Sequence, residues 1–333
     1  MSDSKQIAVL GGGSWGTALA IQLARAQQNA VLWDISPEHV SAMQASRTNQ
    51  KYLADIPFPE NLALSADLQH TIAHSATLLL AIPSHAVRSF LHSCKQWIRP
   101  EQTIVWATKG LEENSAKPIH QIVAEELPDC AQTAVVSGPT FAGEVARDLP
   151  TAVAVAANTR ETAEQVAQLL HYGNFRVYIS DDMVGVELGG SLKNVLAIAA
   201  GIADGLGFGA NTRAALITRG LAEIMRLGLK MGAQAETFMG LAGLGDLVLT
   251  CTDNQSRNRQ MGLALADGLS IDEARIKIGQ AVEGVKTARE AWLLAQQYNV
   301  DMPIIEQAYR VLYEAKPPKE AVHDLLNREA RAE

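Results

Sequence analysis

The stretch QIAVLGGGSWGTALAIQLARAQ, residues 6–27, decides the fold of this 333-residue chain. A short apolar run leads into a glycine-rich turn, and a helix-like run of small and apolar residues follows at once. Gly11, Gly13 and Gly16 fit the pattern G-x-G-x-x-G. They would permit a tight turn, a close approach of a pyrophosphate to the backbone, and close helix–strand packing. This context predicts a dinucleotide site at the helix N-terminus, and a glycine-rich turn without a ligand is the alternative.

Similar apolar runs continue through the first half of the chain. AVLWD, TLLLAI, TIVWAT, TAVVS and TAVAVAAN are short, bounded by glycine, proline or polar residues, and separated by helical segments. This alternation is typical of a parallel sheet covered on both faces. From Met183 onward helical patterns dominate. We therefore predict an α/β fold, in which an N-terminal Rossmann-type, doubly wound, mostly parallel sheet (residues 1–183) precedes an all-α domain (residues 184–333).

A carboxylate ends the second apolar run. Asp34 lies about 20 residues beyond the glycine turn, where an acidic side chain would meet the adenosine ribose hydroxyls. It would repel a 2′-phosphate, which favours NAD over NADP. The alternative is that Asp34 caps the following helix, although Ser36, followed by Pro37, is the better cap.

Three later junctions follow apolar runs directly: Ile82-Pro83-Ser84, Thr108-Lys109-Gly110 and Gly138-Pro139-Thr140. In open α/β sheets the carboxyl ends of the strands line the ligand crevice. At this crevice the Lys109 ammonium would bind a phosphate or carbonyl oxygen of the ligand. The alternative is that Lys109 is an ordinary surface lysine.

A lysine interrupts the apolar helical segment ELGGSLKNVLAIAAG. Gly189 and Gly190 precede Lys193 by four and three residues, on the same helix face, and would leave room for a group to approach the ammonium. A partly desolvated lysine has a lowered pKa and can act as a general acid or base. The alternative is a lysine whose ammonium reaches water along the helix surface.

Composition and charge exclude several functions. The net charge is −8 and the basic residues are dispersed, which argues against nucleic acid but not against a small phosphorylated metabolite. The eight histidines lack metal-ligand spacing, so no metal is expected. We expect Cys94, Cys130 and Cys251 to be reduced and buried. The N-terminus lacks an export pattern and the apolar stretches are too short or too rich in glycine and alanine to span a bilayer, which predicts a cytoplasmic protein without stable membrane insertion.

The chain resembles the bacterial NAD(P)-dependent glycerol-3-phosphate dehydrogenase family essentially from end to end. The resemblance rests on GGGSWGTALA, PSH, WATKGLE, SGPTFAGEVA, LPTAV, GVELGGSLKNVLAIAAGIADGLGFGANTRAALITRGLAE, GLAGLGDLVLTCTDNQSRNR and GQAVEGVKTA. Ser191 departs from the alanine that members usually carry. Asp34 leaves the choice between NAD and NADP open, because bacterial members often accept NADPH.

The resemblance implies a Rossmann domain, a helical domain and a substrate between them. It also implies reversible hydride transfer between sn-glycerol 3-phosphate and dihydroxyacetone phosphate, which feeds phospholipid synthesis. Lys193 would exchange the proton at the substrate C2 oxygen, with Lys109 and Asp246 beside it. The implied substrate contacts are Lys109, Gly138, Thr140, Lys193, Asp246, Ser256, Arg257 and Asn258. The implied coenzyme contacts are Ser14, Trp15, Lys109, Ala142, Arg257, Ala281 and Glu283, in addition to the glycine turn and Asp34.

The polar run LTCTDNQSRNRQMG, residues 249–262, would then bind the substrate phosphate. The Arg257 guanidinium is a planar donor fork suited to phosphate, and Ser256 and Asn258 add neutral donors. A solvated loop is the alternative for Asn254, Gln255 and Arg259.

Two other functions remain open: a β-hydroxyacid or 6-phosphogluconate-type dehydrogenase, and a non-catalytic dinucleotide sensor. Exposed helix faces in the second half could pair two chains as a homodimer.

Overall fold

The computed structural model describes residues 6–328. It forms two compact units, one comprising Met1–Lys109 with Pro118–Glu187 and the other Gly110–Lys117 with Leu188–Glu333. The first five residues of the N-terminal segment on which the export argument rests, residues 1–10, lie outside the described residues. The assignment of residues 110–117 to the second unit was not predicted.

Ten strands are present in the described residues, all in the first unit. Their bounds are β1 Gln6–Leu10, β2 Ala30–Trp33, β3 Thr48–Asn49, β4 Leu53–Pro57, β5 Ala63–Ser65, β6 Ser75–Leu80, β7 Thr103–Trp106, β8 Gln132–Ser137, β9 Thr151–Ala157 and β10 Phe175–Ser180. Eight of them form one sheet in the order β10-β9-β8-β7-β6-β1-β2-β5, and β3 and β4 form a separate antiparallel pair. All neighbours in the large sheet are parallel except β8 and β9. The predicted mostly parallel, Rossmann-type sheet is confirmed.

Sixteen α-helices accompany these strands between residues 6 and 328. Their bounds are α1 Ser14–Arg25, α2 Pro37–Ser46, α3 Leu68–His74, α4 Val87–Cys94, α5 Ile119–Glu126, α6 Ala142–Ala146, α7 Arg160–Leu170, α8 Met183–Gly205, α9 Ala210–Lys230, α10 Ala235–Phe238, α11 Asp246–Thr252, α12 Arg257–Ala266, α13 Ile271–Ile278, α14 Glu283–Gln297, α15 Pro303–Tyr313 and α16 Pro318–Leu326. A π-helical turn, Leu241–Gly245, leads into α11. No strand is assigned beyond β10 in the described part of the chain, so the predicted helical second half is confirmed.

The sheet places the glycine turn at its centre. β1 pairs with β2 on one side and with β6 on the other, so the strand order reverses beside β1. The carboxyl ends of strands at such a reversal flank the ligand crevice of doubly wound sheets. The central strands are mostly apolar because helices cover both faces; Ile7, Val9, Leu79 and Val105 are each at most 2% exposed.

Helix α8 corrects one expectation from the sequence. Its 23 residues are long and apolar enough to cross a membrane by length and composition, although the sequence predicts no stretch that could span a bilayer. In the structure 94% of its most apolar window is buried inside the protein, as in the core helix of a globular domain. Of the three free cysteines, Cys94 and Cys251 are buried as expected, and Cys130 is only partly buried.

Candidate active site

The glycine turn leaves open space at the N-terminus of α1. Gly11 has φ of +123°, and a Cβ there would lie 2.7 Å from the Ala81 carbonyl oxygen. A Cβ at Gly16 would lie 1.9 Å from the Gly11 oxygen, so both positions require glycine. In contrast, a Cβ at Gly13 would meet no atom within 4 Å, and Gly13 is the N-cap of α1 without a side-chain cap. The turn therefore presents uncapped N–H groups to an open space, as a pyrophosphate requires.

Asn49 holds the turn in place, and sequence reasoning missed it. Its side-chain amide is completely buried and donates to the Gly12 carbonyl and to the Thr17 hydroxyl, both at 2.8 Å. The Asn49 carbonyl oxygen lies 3.0 Å from His39 Nε2. Asn49 lies in the two-residue strand β3, and its sequence neighbours RTNQKYL give no pattern that would have identified it.

Asp34 lies against the same turn. Its carboxylate accepts hydrogen bonds from the N–H groups of Gly12, at 3.1 Å, and Ser36, at 2.9 Å, and lies 3.4 Å from His39 Nδ1. The N-cap of α2 is Ser36, whose hydroxyl accepts from His39 N–H, with Pro37 at the first helical position. The alternative role of Asp34 as the cap of this helix is therefore wrong, because Ser36 occupies that position.

The other predicted residues of the sheet unit gather at the same edge. Ser14 opens α1 and donates to the Tyr52 carbonyl at 3.0 Å, while the Trp15 indole N–H donates to the Ala107 carbonyl at 3.2 Å. Trp15 thus links α1 to the strand end that precedes Lys109.

Two of the three predicted strand–loop junctions meet through Lys109. Its ammonium donates to the Gly138 carbonyl at 2.9 Å and to the Thr140 hydroxyl at 3.4 Å. Gly138 has φ of +156°, and a Cβ there would lie 2.9 Å from the Val153 Cα, so only glycine fits. Ala142 begins α6 just beyond Thr140. The structure brings Lys109, Gly138 and Thr140 together as expected for one binding surface.

In the helical unit, Lys193 is buried with a counter-charge. Its ammonium forms an ion pair with the Asp246 carboxylate and donates to the Thr250 hydroxyl at 2.8 Å. Lys193 is 6% exposed and Asp246 is 0% exposed. The alternative of a lysine with its ammonium in bulk water is therefore wrong. Thr250 was not predicted, although it lies four residues after Asp246 on α11, where the same helix face is expected.

The space next to Gly189 is filled by protein backbone, although the sequence predicted room for a group that approaches the Lys193 ammonium. A Cβ at Gly189 would lie 2.4 Å from the Ala242 carbonyl oxygen and 3.2 Å from the Gly243 Cα. The missing side chain therefore admits the backbone of the π-helical turn rather than a ligand. This close packing places α11, which starts at Asp246, beside α8.

A polar network connects the start of α12 to α8. Asn258 donates from its side-chain amide to the Asn194 carbonyl oxygen at 2.9 Å and accepts from Gly284 N–H at 2.9 Å. Asn194 and Asn258 are the direct neighbours of Lys193 and Arg257 in the sequence. The network therefore joins α8 to the start of α12 through the sequence neighbours of the two predicted functional residues.

Arg257, the residue before Asn258, places a cation next to this network. Its guanidinium donates to the Gln280 side chain at 3.2 Å, next to Ala281, and in the described residues no carboxylate lies within ion-pair distance of it. Part of the side chain is exposed, but desolvation of the guanidinium lowers the pKa of Arg257, and the charge of Glu283, the first residue of α14, opposes this shift. A partly desolvated guanidinium that is hydrogen-bonded to a neutral side chain is suited to an anion.

Ser256 and Arg259, in the same polar run, make contacts that fix the start of α12, whereas Asn254 and Gln255 are exposed. Ser256 is buried and caps α12 by accepting from Arg259 N–H at 3.2 Å. Arg259 is also buried, pairs with the Asp204 carboxylate and donates to the Asn254 side chain at 3.0 Å. The alternative of a solvated loop is thus wrong for Arg259, which holds α12 to the end of α8.

A Rossmann unit with an open glycine turn, together with a buried lysine–carboxylate pair in a helical unit, defines the class of nicotinamide-dependent dehydrogenases. Models of the N-terminal and C-terminal parts of NAD-dependent glycerol-3-phosphate dehydrogenase match residues 6–163 and 182–323. The chain belongs to this family.

Relatives and solved structures agree with this assignment. The chain is 54% identical to glycerol-3-phosphate dehydrogenase [NAD(P)+] of Pseudoalteromonas translucida and 56% identical to that of Thioalkalivibrio sulfidiphilus, with 98% of each chain covered in both cases. The crystal structure of glycerol-3-phosphate dehydrogenase from Coxiella burnetii matches with a TM-score of 0.94 at 48% identity, covering 98% of this chain and 99% of that one. D-mandelate dehydrogenase, at 13% identity and a TM-score of 0.59, shares the fold alone.

Proposed function

We propose that the protein interconverts sn-glycerol 3-phosphate and dihydroxyacetone phosphate by hydride transfer to or from a nicotinamide dinucleotide. The observation that carries this proposal is the buried Lys193–Asp246 pair, hydrogen-bonded to Thr250 and adjoining the Asn194–Asn258 network. The names of the full-length relatives support the same substrate and coenzyme class.

The residues at the glycine turn fit a dinucleotide. The open space above Gly13 and the uncapped start of α1 would hold the pyrophosphate, with Ser14 and Trp15 beside it. The Asp34 carboxylate accepts a hydrogen bond from the Gly12 N–H. It would also accept hydrogen bonds from the ribose hydroxyls and repel a 2′-phosphate. We therefore propose that NAD is preferred over NADP. The coenzyme supplies the hydride chemistry, and the protein supplies orientation and proton transfer.

Lys193 is the proposed proton donor and acceptor. During ketone reduction, negative charge develops at the C2 oxygen, and an ammonium held there stabilises that charge and donates its proton. The Asp246 carboxylate and the Thr250 hydroxyl restrict the ammonium to one position, which reduces the entropic cost of reaching the reactive geometry. In the oxidation direction the neutral amine accepts the proton from the C2 hydroxyl.

Arg257 is the proposed phosphate ligand. Its guanidinium can donate two parallel hydrogen bonds to phosphate oxygens. The Ser256 hydroxyl, which accepts from Arg259 N–H, retains its own proton for donation, and the Asn258 amide retains one N–H. Lys109, with Gly138 and Thr140, would bind another substrate oxygen. Ala142, Arg257, Ala281 and Glu283 are the remaining proposed coenzyme contacts.

The wider biological setting is part of the proposal. The reaction would supply the glycerol-phosphate backbone for phospholipid synthesis in the cytoplasm. Most of the proposed dinucleotide contacts belong to the sheet unit, and most of the proposed substrate contacts belong to the helical unit. Exposed helix faces of the helical unit would pair two chains, which sedimentation equilibrium of the purified protein would detect as a doubled mass.

One assay tests the proposed reaction. The absorbance of reduced nicotinamide is followed with dihydroxyacetone phosphate, using each coenzyme in turn, and with a β-keto acid in its place. We expect turnover with the phosphorylated ketone and a lower KM for NADH than for NADPH. Turnover with the keto acid alone would favour the β-hydroxyacid dehydrogenase alternative, and coenzyme binding without turnover would favour the sensor.

The Lys193→Ala variant tests the assignment of the proton donor. We expect turnover to fall by at least about 100-fold, since general acid catalysis contributes about that much. Coenzyme binding, measured by fluorescence titration, should be unchanged. A variant that keeps near-normal turnover would exclude Lys193 as the proton donor.

A further inference from the structure

Residues Gly110–Lys117, here called the 110–117 segment, follow Lys109 directly and pack with the helical unit. Two non-glycine residues in it adopt the left-handed conformation, Asn114 with φ of +72° and Ala116 with φ of +56°. Such conformations cost free energy and persist only where the surrounding contacts enforce them. Contacts with the helical unit therefore hold this segment in one conformation.

Helix α14 holds the middle of the segment. Lys286 forms an ion pair with Glu113 at 2.9 Å, and Glu290, four residues later on the same helix face, is buried. Desolvation raises the pKa of Glu290, and the backbone of Asn114 and of Ala116 opposes this shift, which places the carboxylate beside the segment. A partly exposed ion pair such as Lys286–Glu113 contributes little by itself.

Ser191, on α8, holds the end next to Lys109. Its side chain is completely buried, and its hydroxyl accepts from Gly110 N–H at 2.9 Å and donates to the Gly110 carbonyl at 3.3 Å. The Gly110 N–H lies in the peptide plane that contains the Lys109 carbonyl, so one hydroxyl fixes the peptide planes on both sides of Gly110. Gly110 has φ of +153° and no side chain to restrict it. The hydroxyl therefore supplies the restraint that the glycine lacks.

We propose that Ser191 is a positioning residue for Lys109. By fixing the Lys109–Gly110 peptide, Ser191 determines the direction in which the Lys109 side chain leaves the backbone, and thus its reach to Gly138 and Thr140. The inference rests on the proposed function, in which Lys109 binds a substrate oxygen.

A double-mutant cycle tests the proposal. Ser191→Ala should raise the KM for dihydroxyacetone phosphate about 5-fold, the change expected from the loss of about 1 kcal/mol of hydrogen bonding. The turnover number and the KM for the coenzyme should stay within about 2-fold, because Lys193 and the glycine turn are untouched. In the Lys109→Ala background, the same Ser191→Ala change should leave the KM unaltered.

Two further variants separate positioning from stability. Ser191→Cys leaves no cavity, because the thiol is slightly larger than the hydroxyl, and it replaces the strong hydrogen bonds by weak ones. It should therefore reproduce the KM increase even if the alanine variant folds poorly. Ser270→Ala removes a hydroxyl that caps α13 and should lower stability without changing the KM.

The results separate the positioning role of Ser191 from the proposed substrate contact of Lys109. The positioning role is overturned if Ser191→Ala causes no KM increase, or causes the same increase whether Lys109 is present or has been replaced by alanine. A Lys109→Ala variant with an unchanged KM overturns the proposed substrate contact of Lys109, and the positioning role with it.

Discussion

Replacement of Asp246 by asparagine should destabilise the helical unit strongly while preserving its shape. Asparagine has nearly the same volume as aspartate, so no cavity forms, but the Lys193 ammonium loses its counter-charge. Asp246 is 0% exposed and Lys193 is 6% exposed, so water cannot replace the lost interaction. Removing one partner of a buried ion pair costs about 3–5 kcal/mol. The Thr250 hydroxyl still accepts from Lys193, which places the expected loss near the lower limit.

Hydrogen exchange measured by mass spectrometry would locate this loss. A decrease of about 3 kcal/mol corresponds to about 100-fold faster exchange of protected amides in α8 and α11, if they exchange through opening of the helical unit. Asp301→Asn is the matched control, because Asp301 is exposed and pairs with Arg328 at 2.8 Å, so less than about 1 kcal/mol should be lost.

A double variant separates stability from activity. Lys193→Met with Asp246→Leu replaces the pair by apolar side chains and should recover much of the stability lost in Asp246→Asn, while remaining inactive. Equal, small effects of the Asp246→Asn and Asp301→Asn changes would refute the reasoning, because the buried pair would then contribute no more than an exposed one.

Two other predictions concern the helical unit. Arg257→Ala should raise the KM for dihydroxyacetone phosphate about 10–100-fold through the loss of charge-assisted hydrogen bonds. Arg219→Ala, on α9, is the control and should leave this KM unchanged. A change confined to the turnover number would contradict the phosphate role of Arg257. Burial raises the pKa of Glu223 to about 7 from its ordinary 4.5, although its carboxylate accepts from Ile304 and Ile305 N–H. Between these two values the folded state retains a proton that the unfolded chain releases, so Glu223 makes stability fall as pH rises, by up to about 3 kcal/mol. Glu223→Gln should flatten this dependence in urea unfolding at about pH 5 and about pH 8, and an unchanged slope would exclude Glu223 as its source.

The sequence was most informative where local chemistry determines structure. Gly11 and Gly16 mark a turn at which a Cβ would collide with backbone, and Ser36 followed by Pro37 marks a helix start. Such constraints act between residues close in sequence and can be identified without coordinates. Lys193 stood out for a related reason, since a charge inside an apolar helix requires a partner.

Contacts between distant segments could not be predicted in the same way. Asn49 restrains the glycine turn from 37 residues away, and Arg259 pairs with Asp204 from 55 residues away. The antiparallel pairing of β9 with β8, after which β10 runs parallel to β9, also depends on the path of the chain, not on the composition of TAVAVAA. These features follow from tertiary packing, which a single sequence does not encode in any local pattern.

The π-helical turn Leu241–Gly245 imposes a constraint on chain length. A π turn accommodates one residue more than an α turn, and Gly243 permits it because a Cβ there would lie 2.1 Å from the Phe238 carbonyl oxygen. Deleting one residue would restore ordinary α geometry and rotate every following side chain by about 100° around the helix axis. Asp246 and Thr250 would then face away from Lys193. Among natural variants of this enzyme, insertions and deletions should therefore be absent from this turn even where single substitutions are tolerated.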